Sequence, residues 1–120
     1  MILVDTSVWI DHLHERQEEL IRLLEADEVC THPFVVEELA MGRLIDRHGF
    51  LSSLRNLRTL AAVSHDELMT LIDARSLWGI GLNPGDAHLL AAVVVTPETS
   101  LWTRDKRLHM AAERLGVAHA

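Results

Sequence analysis

The stretch Ile2-Leu3-Val4-Asp5-Thr6-Ser7 decides the fold class that this sequence predicts. Its three apolar residues make a short unbroken run, which is typical of a strand buried on both faces of a parallel sheet. A carboxylate follows the run at once, and two hydroxyl side chains follow the carboxylate. The stretch therefore predicts a buried first strand with Asp5 at its carboxyl end, the edge where parallel sheets bind ligands.

Periodicity along the rest of the chain predicts alternating strands and helices. Further strands are expected at 29–31, 59–63 and 100–103, with a possible short last strand at 116–118. Helices are expected at 8–24 (in one or two segments), 33 to about 54, 65 to about 78, 84 to about 95 and 106–115. Ser64 and Glu67 form a capping-box pattern, and Pro84 follows Asn83 as it would at a helix start. The alternation predicts one α/β domain over residues 1–120, with a parallel sheet covered by helices on both faces.

The composition narrows the classes of function. The formal net charge of −7 argues against a protein whose affinity rests on broad neutralisation of phosphates. That charge suits a carboxylate cluster around a cation, or a basic partner, and it suits plain solubility equally well. Cys30 is the single cysteine, which excludes an internal disulfide and favours a reducing compartment. With no basic leader region and no apolar run near the roughly 20 residues of a membrane span, a soluble cytoplasmic protein is expected.

Four acidic residues fall where a parallel sheet gathers functional groups. Asp5 follows the first predicted strand and Asp105 follows the fourth, while Glu38 and Asp86 lie in the early turns of two predicted helices. Helices that return across a parallel sheet begin at its carboxyl edge, so all four carboxylates are expected there. Carboxylates brought together repel one another, and a hard divalent cation such as Mg²⁺ or Mn²⁺ relieves that repulsion. Such a cation activates water and neutralises charge in phosphoryl transfer.

Each acid also has a structural interpretation. Asp86 would be stabilised by the dipole of its helix, and Asp105 would cap the last helix. Glu38 would be a solvated residue like its neighbour Glu37. Taken singly, these three are better explained by structure than by function. Asp5 is the exception, because an acid directly after a buried first strand favours a site residue.

At this point the sequence resembles a known family. The ordered motifs Ile2–Ser7, Glu38–Gly42, Asp86–Ala92 and Leu101–Lys106 are similar to those of PIN domains of the VapC toxin type, and the resemblance covers essentially the whole chain. It implies a three-layer α/β/α domain with four or five parallel strands in the order 3-2-1-4-5. One departure is His88-Leu89, which stands where the family usually has a small or aliphatic pair.

The resemblance also implies a function and its residues. It implies a Mg²⁺- or Mn²⁺-dependent endoribonuclease, the toxin of a type II toxin–antitoxin pair, with RNA as substrate. A VapB-type antitoxin that inserts a basic residue toward the acids, and a homodimer, are the implied partners. Glu38, and not Glu37, matches the family acid. The implied metal-binding and catalytic residues are Asp5, Glu38, Asp86 and Asp105.

Other polar residues are candidates for accessory roles. Three hydroxyl residues could hydrogen-bond a metal-bound water or a phosphate: Thr6, Ser7 and Thr103. Thr6 and Ser7 could equally act as caps. The best candidates for contacts with RNA phosphates are Arg104, Lys106, Arg107, Arg43 and Arg47.

The tryptophans and histidines give weaker indications of function than the acids do. Tryptophans can stack on bases, but Trp9 and Trp78 fall at apolar periodic positions and are expected in the core. The eight histidines show no paired-ligand spacing for zinc, so a histidine metal site is not expected.

Two other classes of protein remain as alternatives. A receiver-like signalling domain has a similar length and an aspartate cluster, but it would need an adjacent acidic pair after the first strand and an aspartate ending the third. A third class, phosphatases with an Asp-x-Asp motif, is disfavoured because it would need an acid where Ser7 stands. A catalytically inactive PIN-like binding module is the second alternative, and the presence of all four acids argues against it.

Overall fold

A four-stranded parallel sheet is the centre of the fold. The structure, a computed structural model, describes residues 1–120. The strands are β1 (Ile2–Val4), β2 (Val29–Thr31), β3 (Arg58–Thr59) and β4 (Ser100–Trp102), and their order across the sheet is β3-β2-β1-β4. The predicted last strand is reduced to one parallel bridge between Leu101 and Ala118. That bridge lies on the free side of β4, where the predicted order puts a fifth strand.

Seven helices flank the sheet: α1 (Thr6–His14), α2 (Glu18–Glu25), α3 (Pro33–Ala40), α4 (Arg47–Arg55), α5 (His65–Ala74), α6 (Pro84–Val95) and α7 (Lys106–Arg114). The predicted helix starts are confirmed. Ser64 and Glu67 form the reciprocal capping box of α5, and Pro84 occupies the first turn of α6. No helix has both the length and the apolar character needed to cross a membrane.

Three predicted boundaries are wrong. The helix expected from 33 to about 54 is broken between Ala40 and Arg47, where Asp46 adopts a positive φ of 48° and caps α4 by accepting a hydrogen bond from the Gly49 amide. The helix expected to reach Trp78 ends at Ala74, because Ser76 takes a left-handed conformation. In each case a residue in the left-handed region lies within the break, while the side-chain periodicity continues across it.

The third strand also differs from the prediction. It covers 58–59 rather than 59–63. One further ladder bond joins the Leu60 amide to the Thr31 carbonyl, after which the chain leaves the sheet. The apolar residues after Leu60 do not extend the strand, because β3 pairs with only two residues of β2, Cys30 and Thr31.

The packing of β1 against β4 positions the residues of interest. Val4 pairs with Trp102 in register, so the residues that follow both strands, Asp5 and Thr103, emerge side by side. Helix α6 is buried along most of its length between the sheet and α5, and its first turn carries Asp86. The fold thus brings residues from opposite ends of the sequence to one edge of the sheet, as predicted.

Candidate active site

Asp5 is the most tightly held acid at this edge. Its side chain is only 7% exposed, although it directly follows β1. Oδ2 accepts a hydrogen bond from the Ser7 hydroxyl at 2.7 Å and another from the Thr103 hydroxyl at 2.8 Å. The carboxylate is therefore fixed across the junction of two strands, and Oδ1 is left without a hydrogen bond.

The two hydroxyl groups do more than satisfy Asp5. Ser7 Oγ accepts a bond from the Arg104 amide, and Thr103 Oγ1 accepts one from the Asp105 amide, each at 3.0 Å. Each hydroxyl thus donates its single proton to Asp5 and accepts from the loop after β4. The 3.3 Å separation of the two hydroxyl oxygens is then a contact between acceptors. Ser7 and Thr103 thus orient Asp5 and the loop that carries Asp105.

The pKa values of Glu38 and Asp86 are raised by burial and by the carboxylates around them. The pKa of Glu38 is raised by partial burial first and then by the charges of Asp5 and Asp86. The pKa of Asp86 is also raised by burial, while its bond with Asn83 lowers it and the charges of Asp105 and Asp5 raise it further. Glu38 is therefore near Asp5 and Asp86, and Asp86 is near Asp5 and Asp105.

Asp86 and Asp105 also fulfil the structural roles that the sequence suggested. Asp86 Oδ2 accepts from the Asn83 amide at 3.2 Å, while Asn83 Oδ1 accepts from the Asp86 amide at 2.8 Å. Asp105 Oδ1 accepts from the Leu108 amide at 2.9 Å and so caps α7. These bonds anchor the two carboxylates at helix starts without using both oxygens of either one. A structural role and a place in the cluster therefore coexist.

The cluster is not closed around a single point. As the side chains lie, no group of three acidic, histidine or cysteine residues is close enough together to hold a metal ion. The donor chemistry nevertheless fits a hard divalent cation, since the acids and their hydroxyl neighbours offer oxygen ligands, and burial and neighbouring carboxylates raise the pKa values of Glu38 and Asp86. Thr6 adds a buried hydroxyl beside Glu38 that makes no hydrogen bond of normal geometry. The side chains would have to rotate before the carboxylates could share one cation.

Arg104, one of the cations predicted to contact RNA, already binds other side chains of the protein. Arg104 pairs with Asp11 at 3.4 Å, donates to the Gln17 side chain at 3.0 Å and lies 5.5 Å from the centre of the Trp102 ring. Asp11, an exposed acid of α1, thus partly neutralises Arg104. All of these groups are solvent-accessible, so the ion pair contributes little stability and can exchange partners.

The remaining predicted cations lie in different surroundings. Arg47 donates from both Nε and Nη2 to the Ala40 carbonyl and so closes the end of α3. Arg43 lines a cleft together with Glu38. Lys106 and Arg107 are exposed in the first turn of α7, where Arg107 packs against Gly81.

The fold and the carboxylate edge define a class of protein that comparison with known proteins confirms. A family model described as PIN domain matches residues 2–114, so the chain belongs to the PIN-domain family. This membership excludes the receiver-like alternative. The crystal structure of PAE2754 from Pyrobaculum aerophilum has a similar fold, with a TM-score of 0.64 and 19% sequence identity, covering 98% of this chain and 87% of that one.

Within the family, the chain is similar to Ribonuclease VapC32 of Mycobacterium tuberculosis. The proteins of that name from strains CDC 1551 / Oshkosh and H37Rv are each 49% identical to it over 120 residues. The match covers 100% of this chain and 97% of each relative. The chain is therefore a PIN domain of the VapC type.

The raised pKa of Glu38 generates a testable prediction. In the folded state the raised pKa favours the protonated form, so the charged carboxylate opposes folding at neutral pH. Without divalent cations, Glu38→Gln should therefore raise the melting temperature at pH 7. The gain should shrink as the pH falls through the raised pKa toward the ordinary value of 4.5, because the wild-type carboxyl then becomes neutral as well.

Glu37→Gln is the matched control, because Glu37 is the preceding residue of the same helix and is exposed. Thermal unfolding in EDTA at pH 7 and at pH 4 measures both variants. Equal melting temperatures for the two variants at pH 7 would show that Glu38 is not repelled by the other acids.

Proposed function

We propose that this protein is a Mg²⁺- or Mn²⁺-dependent endoribonuclease that hydrolyses RNA phosphodiester bonds. The observation that carries the proposal is the carboxylate edge itself, where Asp5 is fixed between two strands and the pKa values of Glu38 and Asp86 are raised by neighbouring acids. Repulsion of this kind persists in a fold when a cation balances it in the working state. The proposal draws further support from Ribonuclease VapC32, a relative whose name states that it cleaves RNA.

The residues that would hold the cation are Asp5, Glu38, Asp86 and Asp105. When bound, a divalent cation would supply an activated water and a counter-charge for the phosphate. Asp5 offers its free Oδ1 from a rigid position, because Ser7 and Thr103 hold the other oxygen. Glu38 is the most adaptable acid, since its side chain is exposed and makes no capping bond.

Cationic side chains around the edge would contact RNA phosphates. Lys106 and Arg107 are exposed beside Asp105, and Arg43 lies beside Glu38. Arg104 would exchange Asp11 for a phosphate, whose geometry suits a guanidinium better than a single weak ion pair does. Arg47 would contribute less, because the Ala40 carbonyl already holds its guanidinium.

Loss of one carboxylate should reveal the mechanism. Asp5→Asn should reduce cleavage of RNA by roughly 100-fold or more, as the loss of a major electrostatic stabiliser does. The isosteric amide keeps the shape of the side chain, and an unchanged far-ultraviolet circular dichroism spectrum would confirm the fold. Asp73→Asn, an exposed acid of α5, is the matched control and should retain full activity.

The assay is cleavage of purified cellular RNA with Mg²⁺ or Mn²⁺, with EDTA as the control condition. Activity that persists both in EDTA and in Asp5→Asn would refute the metal mechanism. No cleavage by wild type under any condition, combined with retained RNA binding, would instead favour the inactive binding module.

We further propose that the protein is the toxin of a type II pair, is inhibited by a VapB-type antitoxin, and acts in the cytoplasm. A cleft of about 330 Å³ supports the partner, because apolar residues of α1 and of the segment after α3 line it, including Ile10, Leu13 and Ile45. Glu38 also lines this cleft, so a basic side chain of an apolar partner helix could reach the acids. Exposure of 97% at Ile45 is consistent with a surface that a partner covers.

A homodimer that sets two carboxylate edges side by side completes the proposal. The family resemblance supports it. Sedimentation velocity at micromolar concentration should therefore give the mass of two chains of 13.5 kDa. A single species at the monomer mass would contradict the dimer and leave the nuclease proposal standing.

A further inference from the structure

The pocket beside the first turn of α6 has features that the carboxylate chemistry does not use. It lies between α5 and α6, has a volume of about 410 Å³, and is lined on one side by Trp78 and on the other by Asn83 and His88. This volume falls within the range of roughly 300–1,000 Å³ that is usual for small-ligand sites. Asn83 exchanges two hydrogen bonds with Asp86, so the wall of the pocket is one helical turn from the carboxylate edge. A ligand in this pocket would therefore lie near the first turn of α6, which carries Asp86.

Trp78 is the unexpected residue of this pocket. The sequence predicted a core position for it, but its side chain is 67% exposed, whereas its neighbour Leu77 is 5% exposed. Burial of Leu77 fixes the chain at this point, and the Leu77 amide bonds to the Ile72 carbonyl at 3.0 Å. The tryptophan therefore faces solvent because the core takes Leu77 in its place.

The segment that carries Trp78 is anchored on both sides. The guanidinium of Arg114 donates to the carbonyls of Arg75 and Ser76 at 2.9 and 3.1 Å. On the other side, Gly81 has a positive φ of 86° and packs so closely against Arg107 that a Cβ atom would lie 2.7 Å from its side chain. A large aromatic ring is thus held on the surface by a fixed backbone, which reduces the entropy lost when a ligand stacks on it.

The charges around this segment favour an anionic ligand. Arg75, Arg107 and Arg114 lie along it, and none of them takes part in an ion pair. An exposed aromatic ring on a segment flanked by cationic side chains is a combination with which proteins bind single-stranded nucleic acid, since bases stack on the ring and phosphates meet the cations.

We propose that this pocket receives one unpaired nucleobase of the RNA, adjacent to the cleaved phosphodiester, with the base stacked on Trp78. The inference rests on the proposed ribonuclease function and adds to it a substrate-positioning residue. A base within a duplex cannot enter the pocket, because its faces are covered by neighbouring base pairs. The protein should therefore cut at loops and other single-stranded positions.

Removal of the ring should weaken RNA binding and leave the carboxylates intact. Binding is measured in an Asp5→Asn background, so that the RNA stays whole, with twelve-nucleotide homopolymers of each base. Trp78→Ala should raise Kd by about fivefold to 100-fold, the usual loss for one stacking platform, whereas Trp78→Phe should keep most of the affinity. In the active protein, Trp78→Ala should raise KM by a similar factor and change kcat little. Val95→Ala, an exposed apolar residue at the far end of α6, is the matched control and should change neither value.

Tryptophan fluorescence gives a second measurement of base stacking on Trp78. A stacked base should quench the emission of Trp78, and that quenching should disappear in Trp78→Ala, although Trp9 and Trp102 still emit. Retained affinity together with unchanged cleavage positions in Trp78→Ala would overturn the proposal. A change of oligomeric state in that variant would overturn it too, because Trp78 would then belong to a contact between copies. If wild type cuts no RNA at all, the proposed ribonuclease function is refuted, and the base pocket that rests on it is refuted as well.

Discussion

The two hydrogen bonds that join Asp5 to Ser7 and Thr103 are the constraint on which the rest of the site depends. They link the ends of β1 and β4, which are 98 residues apart in sequence but adjacent in the sheet. Each hydroxyl that holds Asp5 also accepts an amide of the loop leading to Asp105. The carboxylate, the strand junction and the start of α7 therefore form one hydrogen-bonded unit. Loss of either hydroxyl would disturb the position of two acids at once.

Repulsion among the acids is the opposing force. The pKa values of Glu38 and Asp86 are raised first by burial and then by neighbouring carboxylates, so charging these two acids in the folded chain opposes folding. Helix caps hold Asp86 and Asp105 against that repulsion, and Glu38 has no such bond. This division explains why the acids cluster at one edge and yet do not converge on a single point. Three acids are fixed by the fold, while Glu38 is free to adjust.

Much of this arrangement follows from the sequence. A buried apolar run ending in an acid predicts the position of Asp5, and the proline and capping signals predict the starts of α5 and α6. The order of the strands came from family resemblance, because periodicity alone does not specify which strands are neighbours. The helix breaks at Asp46 and Ser76 were not predicted, since both depend on left-handed backbone conformations in residues other than glycine.

Residues whose role depends on tertiary neighbours were harder to predict. The position of Trp78 was predicted wrongly, because Leu77 beside it has the same apolar character and only the packed core decides between them. His32 is fully buried, caps α3 through Nδ1, and has its pKa lowered to about 4 by burial and by His88. The Pro33 that follows marks a helix start, but histidine is not a usual cap, so this role could not be predicted from the residue type.

The central claim is that the four carboxylates form one cation site, and titration of the protein with Mn²⁺ by calorimetry at pH 7 tests it most directly. Wild type should bind the ion saturably, and Asp5→Asn should weaken the affinity by roughly tenfold or more, since the loss of even an outer partner of a metal ligand has an effect of that size. Asp73→Asn should bind as wild type does. Equal affinity in wild type and in Asp5→Asn, or no saturable binding in wild type, would contradict the account.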